Sequence, residues 1–204
     1  MAATSSPPQP PIVNLPNVLT ASSLVLALVL FVLMECEAWL LCLLVFVAAA
    51  VTDWLDGYLA RKQGLTSTLG RNLDPLVDKV LICGAFIFLL PLHQSASEQY
   101  GWLVVLSPWM VVVVVARELI ITSLRGYVES QNVVFGADWL GKLKMGLQCA
   151  ALIAIFVTLH VGPWTADGFF VRISTGLLYA MVGATALSGL QYLWKAFHLL
   201  MEKV

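Results

Sequence analysis

The chain has 204 residues, of which 60% are hydrophobic and 11% charged, with a mean hydropathy of +0.89; an average soluble domain is about 45–50% apolar and about 25% charged. This composition excludes a soluble globule, and a formal net charge of −1 spread over few solvated faces leaves no basic surface for nucleic acid. The useful unit of length is therefore the membrane crossing of about 20 apolar residues, and six crossings leave no room for a separate extramembrane domain.

In chain order, residues 1–13 read as a polar, Pro-rich disordered tail without the pattern of a signal peptide, and 14–204 as a single membrane domain. Asn14-Leu15-Pro16-Asn17 leads into a first apolar span over 18–34. Glu35 and Glu37 mark a tight connection to a second span over 38–58, which carries aspartates at its far end. The remaining spans are expected at about 75–92, 102–122, 139–159 and 169–194. The expected fold is an all-α integral membrane protein of six transmembrane helices with a polar cavity facing the cytoplasm.

The charges set the orientation, because Lys and Arg in short loops collect on the cytoplasmic side. Ten of the eleven fall in connections 2–3 and 4–5, the C-terminal tail and the span ends beside them; only Arg172 lies on the other side. Both termini are thus expected in the cytoplasm. The four cysteines, at 36, 42, 83 and 149, form no CxxC or Cys/His pair and read as packing residues. His93, His160 and His198 fall in separate segments without ligand partners in sequence.

Chemistry concentrates between Thr52 and Val80. Asp53, Asp56 and Ala60 are spaced i, i+3, i+7 and share one helix face, with Gly57 one turn from Asp53; Asp74 and Asp78 are one turn apart on the next helix. Four carboxylates crowded at one membrane interface repel: unit charges about 4 Å apart interact by about 4 kcal/mol at an effective dielectric of about 20. A positive partner must offset them. An all-oxygen set that also meets phosphates suits Mg²⁺ or Mn²⁺, and four carboxylates suffice for two ions. Gly57 and Ala60 leave space for a ligand, and Arg61 offers a planar phosphate donor. Pro at a first helical position further suggests Asp74 as the N-cap of the third helix, whose N-terminus would favour a phosphate.

The pattern Asp53-x2-Asp56-Gly57-x2-Ala60-Arg61-x8-Gly70-x3-Asp74-x3-Asp78 fixes eight positions over 26 residues and resembles, without departure, the signature of the CDP-alcohol phosphatidyltransferase family. The resemblance implies a six-helix membrane enzyme, usually dimeric, that displaces CMP from a CDP-linked lipid. It further implies that Asp53, Asp56, Asp74 and Asp78 hold the metal ions, that Asp53, Asp56, Gly57, Ala60, Arg61, Gly70 and Asp74 surround the CDP moiety, and that Asp78 is the base.

A second informative stretch concerns the acceptor. Arg117-Glu118 is followed by Leu124-Arg125, and Gly141-Lys142-Leu143-Lys144 by Gln148. Glu118, Thr122 and Arg125 share a helix face, whereas Arg117 lies about 100° round from Glu118, so the two arginines need not meet. Arg117 follows five valines, deeper than a headgroup anchor requires. Lys142 and Lys144 lie on nearly opposite faces, so at least one is expected to snorkel. Together with Asn14-Leu15-Pro16-Asn17-x2-Thr20, these segments resemble the bacterial branch of the family whose acceptor is glycerol 3-phosphate. Two departures are that Ala21-Ser22-Ser23-Leu24 stands where that branch usually has an Arg, and Met145 where it has Thr.

The expected reaction is transfer of a phosphatidyl group from CDP-diacylglycerol to glycerol 3-phosphate in the inner membrane, with Arg117, Arg125 and Lys142 or Lys144 holding the acceptor phosphate. The alternatives are inositol phosphate, serine or phosphatidylglycerol as acceptor. A cation transporter is a further alternative, but it needs access from both sides, and all four aspartates crowd one end.

Overall fold

The computed structural model describes the backbone of residues 15–63, 68–91, 106–130, 139–161 and 168–201, and within these the side chains of 21–52, 76–77, 79–91, 106–128, 130, 139–161 and 168–198. The expected tail over 1–13 lies outside the described residues. Six α-helices occupy them: α1 Leu15–Glu35, α2 Trp39–Gln63, α3 Thr68–Phe88, α4 Pro108–Ser130, α5 Trp139–Val161 and α6 Phe169–Met201. No strand occurs among the described residues.

One helix stands at each expected span, but several boundaries move. α3 begins at Thr68, seven residues before the apolar run at Pro75, because helix formation does not require the hydropathy that marks a membrane core. Asp74 is therefore inside α3 and is not its N-cap, and the expected phosphate site at that helix N-terminus is withdrawn. Pro75 sits within the helix, where its missing N–H costs one backbone hydrogen bond. α4 starts at Pro108 and not near 102, since proline fits the first helical position and not the interior, and it runs on to Ser130. α6 continues past Trp194 to Met201, with no breaker in between.

The α1–α2 corner is closed by backbone hydrogen bonds alone. Ala38 N–H donates to Leu33 C=O at 3.0 Å and Glu37 N–H to Met34 C=O at 3.0 Å, the paired bonds of a Schellman motif. Glu37 occupies its left-handed position at φ 55°, where glycine is usual.

Helices α5 and α6 pack along the most extensive interface; α1 lies against α2 and α3, α2 against α5, and α4 against α6. The core between them is large and apolar: Leu30, Phe46, Phe86, Met110, Phe156 and Met181 are completely buried. Phe46 and Phe156 meet edge to face at 5.9 Å, joining α2 to α5. Phe31 stacks on Phe88 at 4.9 Å, and a Cβ on Gly84 would stand 2.3 Å from Phe31 Cζ, so α1 and α3 need glycine there.

The outward faces are as apolar as the core. Val25, Leu28, Val32, Leu44, Val112, Leu187 and Leu190 are exposed, which suits lipid and not water. Among the described residues α5 (Trp139–Val161) and the Phe169–His198 part of α6 are each long and apolar enough to cross a bilayer.

Candidate active site

Two successive helices carry the carboxylate signature. Asp53, Asp56, Gly57, Ala60 and Arg61 lie in the second half of α2, and Gly70, Asp74 and Asp78 in the first half of α3. Only four residues separate these helices, so both carboxylate pairs fall at the same end of the bundle. The side chains of all eight lie outside the described residues. Their helical register keeps Asp74 and Asp78 one turn apart, as it does Asp53 and Asp56 within one turn.

The described chemistry is a partly buried cationic cluster built by α4, α5 and α6. Lys144 on α5 is 5% exposed and donates through Nζ to Oε1 of Glu118 on α4, itself 9% exposed. Arg117 Nη1 lies 3.5 Å from the same oxygen. Arg125, two turns along α4, donates from Nη2 to Oη of Tyr192 on α6 at 3.2 Å. Both guanidinium groups stand over the Tyr192 ring, Arg117 at 5.5 Å and Arg125 at 5.7 Å from its centroid.

Charge bookkeeping within the cluster is uneven. Arg117 and Lys144 share the carboxylate of Glu118, and Arg125 donates to Tyr192 instead, so among these four charged residues three cations face one carboxylate. Ionised groups withdrawn from water are costly without opposite charge. The Nε atoms of both arginines are buried without a hydrogen-bond partner, as is Nε2 of Gln148, one turn beyond Lys144 on α5 and 1% exposed. Such donors fit an anionic ligand rich in acceptor oxygens.

Cys83 ties this cluster to α3. It lies within electrostatic reach of Glu118, Lys144 and Lys79, and Lys79 directly follows Asp78 in the helix. Helix α3, which carries Asp74 and Asp78, also packs against α4 and α5, the helices of the cationic cluster.

Three of the four cations expected at the acceptor are brought together, and the fourth is not. Lys144 is inside, whereas Lys142 is exposed on the other side of α5, which settles which of the two faces the interior. Arg117 and Arg125, whose helical spacing left their convergence open, do converge, because both long side chains reach the same ring. Tyr192 itself escaped the sequence reading: an aromatic residue in an apolar run has no distinguishing signal. Glu118 and Gln148 were within the quoted pattern, and their spacing from Arg125 and Lys144 was the available clue.

Residues 13–197 match the CDP-alcohol phosphatidyltransferase family. The chain is 34% identical to a Pectobacterium atrosepticum protein named CDP-diacylglycerol–glycerol-3-phosphate 3-phosphatidyltransferase, over 93% of this chain and 98% of that one. It is 35% identical to a Bacillus subtilis protein of the same name, over 74% of this chain and 71% of the relative. A rice protein named cardiolipin synthase (CMP-forming) is 31% identical over 96% of this chain and 61% of its own length. With its all-α architecture, its apolar exterior and a match across nearly its whole length, the chain belongs to the CDP-alcohol phosphatidyltransferase family, an integral membrane enzyme family.

Proposed function

We propose that the protein transfers the phosphatidyl group of CDP-diacylglycerol to glycerol 3-phosphate, giving phosphatidylglycerol phosphate and CMP. The observation that carries the choice of acceptor is the partly buried cluster of Arg117, Arg125 and Lys144, whose excess charge over Glu118 matches a phosphate monoester dianion. Serine or another unphosphorylated alcohol brings no such anion to these cations.

In this reading α2 and α3 hold the CDP-lipid and α4 to α6 hold the acceptor. Gly57 and Ala60 leave room for the nucleotide, Gly70 for its approach, and Arg61 donates to the diphosphate. The donor set of Asp53, Asp56, Asp74 and Asp78 is all oxygen, which fits two divalent ions, Mg²⁺ or Mn²⁺. Such ions, when bound, offset the charge of the diphosphate. Asp78 takes the proton of the sn-1 hydroxyl as that oxygen bonds to the β-phosphorus. The bond from this phosphorus to the bridging oxygen breaks, and CMP leaves with the electron pair. Arg117, Arg125 and Lys144 hold the acceptor's own phosphate, which the aspartates would otherwise repel. Lys142, exposed, anchors α5 at the headgroups.

The same reading places the protein in the inner cell membrane with the termini and the site on the cytoplasmic side, following the distribution of Lys and Arg. It takes 14–204 as one membrane domain and the working unit as a homodimer. The test is CMP release from CDP-diacylglycerol by the purified protein in detergent, with Mg²⁺ or Mn²⁺ and one alcohol at a time. Glycerol 3-phosphate is expected to support turnover and chelation to abolish it; turnover with serine or inositol phosphate alone would reject the assignment. A second reading, with phosphatidylglycerol as acceptor, draws on the likeness to the rice protein. Added phosphatidylglycerol in the same assay distinguishes the two.

A further inference from the structure

We propose that Tyr192 is a positioning residue that sets the two guanidinium groups for a phosphate monoester and thereby makes the enzyme select a phosphorylated acceptor. The inference rests on the acceptor reading above.

Tyr192 is 3% exposed, and its ring collects both arginines of α4. Two like charges drawn to one ring repel each other, and the ring's negative face together with the hydroxyl that accepts from Arg125 offsets part of that repulsion. A guanidinium binds an anion through a fixed planar fork, so what tilts its plane decides whether the fork can be used. In both arginines Nε remains buried without a partner while the ring holds the group in place. These donors are therefore oriented before any ligand arrives.

Two glycines shape the niche. A Cβ on Gly189, nearly one turn before Tyr192 on α6, would stand 3.2 Å from Cγ of Arg117. A Cβ on Gly141, at the start of α5, would stand 3.3 Å from the Tyr192 hydroxyl oxygen. Both contacts are tighter than side chains ordinarily make, so glycine lets the arginine stem and the phenol reach each other. Ile121, Leu124, Val128 and Ala196 pack around the ring.

A residue that only packs would tolerate another apolar side chain. The test compares the wild-type protein with Tyr192→Phe and Tyr192→Leu, measuring kcat, the KM values for glycerol 3-phosphate and CDP-diacylglycerol, and the rate with glycerol as a neutral acceptor. Tyr192→Phe keeps the ring and loses the hydroxyl, and is expected to raise the KM for glycerol 3-phosphate severalfold. Tyr192→Leu loses both and is expected to raise it about tenfold or more, the scale of one hydrogen bond to a charged group. The preference for glycerol 3-phosphate over glycerol falls in the same order, while the KM for CDP-diacylglycerol moves little. A Tyr192→Phe protein with unchanged acceptor KM and unchanged preference overturns the proposal, even if Tyr192→Leu fails to fold. Wild-type protein that releases no CMP with glycerol 3-phosphate overturns the acceptor reading and this inference together, whereas active wild type with an unshifted Tyr192→Phe overturns this inference alone.

Discussion

The carboxylates of α2 and α3 lie within 26 consecutive residues, whereas the two arginines of α4 meet on α6 at a ring 75 residues beyond the first of them, and Lys144 of α5 joins Arg117 through Glu118. Helical periodicity alone puts the acidic groups on common faces, so that half depends on local structure. The cationic half exists only while three helices pack. Altering the helix contacts should therefore impair the acceptor side first and leave the CDP side nearly intact.

The largest expected effect lies in the acidic half. Asp78→Asn is expected to lower kcat by roughly 10²–10⁴-fold, the usual contribution of a general base, while CDP-diacylglycerol binding is largely kept. Near-normal turnover in that variant would remove Asp78 from its role. In the cationic half, Glu118→Leu strips from Arg117 and Lys144 the one carboxylate that pairs with them among the described residues. Removing one partner of a buried charge pair costs about 3–5 kcal/mol, so thermal unfolding in detergent is expected to shift several degrees downward. An unshifted midpoint would mean that the cluster is not closed in the working protein.

Smaller effects sharpen the contrast within α5. Lys144→Met is expected to raise the KM for glycerol 3-phosphate about tenfold, and Lys142→Met to leave it within about twofold, because one side chain is buried on Glu118 and the other is exposed. Equal effects would place the acceptor elsewhere. The smallest change falls far from either half. Glu37 holds a left-handed backbone at the α1–α2 corner, so Glu37→Gly is expected to stabilise the protein by about 1 kcal/mol with kinetics unchanged, as read by the unfolding midpoint.

Much of this architecture was legible because lipid imposes a simple rule on sequence. Long apolar runs had to be helices, and each of the six has its helix. Their ends were less legible, since hydropathy registers the membrane core and not the extent of a hydrogen-bonded ladder. Thr68–Asp74 is polar yet helical, which moved Asp74 from a cap to a helix interior. Pro108 shows the opposite case, where an apolar stretch before it gave no boundary but proline chemistry did. At the site, fixed spacing revealed the aspartates, and the depth of Arg117 behind five valines revealed a cation with work to do. Tyr192 stayed hidden because its partners are distant in sequence and its neighbours, Leu193 and Trp194, are equally apolar. Helical angles left the convergence of the arginines open, because side chains this long can close a separation that the backbone suggests.

The central claim is that an acidic nucleotide-lipid half and a cationic acceptor half cooperate in one phosphatidyl transfer. Its most direct measurement follows CMP and lipid product together, using CDP-diacylglycerol, Mg²⁺ or Mn²⁺, and either glycerol 3-phosphate or glycerol. The account predicts equal yields of CMP and a lipid bearing a terminal phosphate monoester with glycerol 3-phosphate, and little of either with glycerol. Comparable turnover with both alcohols, or none with glycerol 3-phosphate, would contradict it.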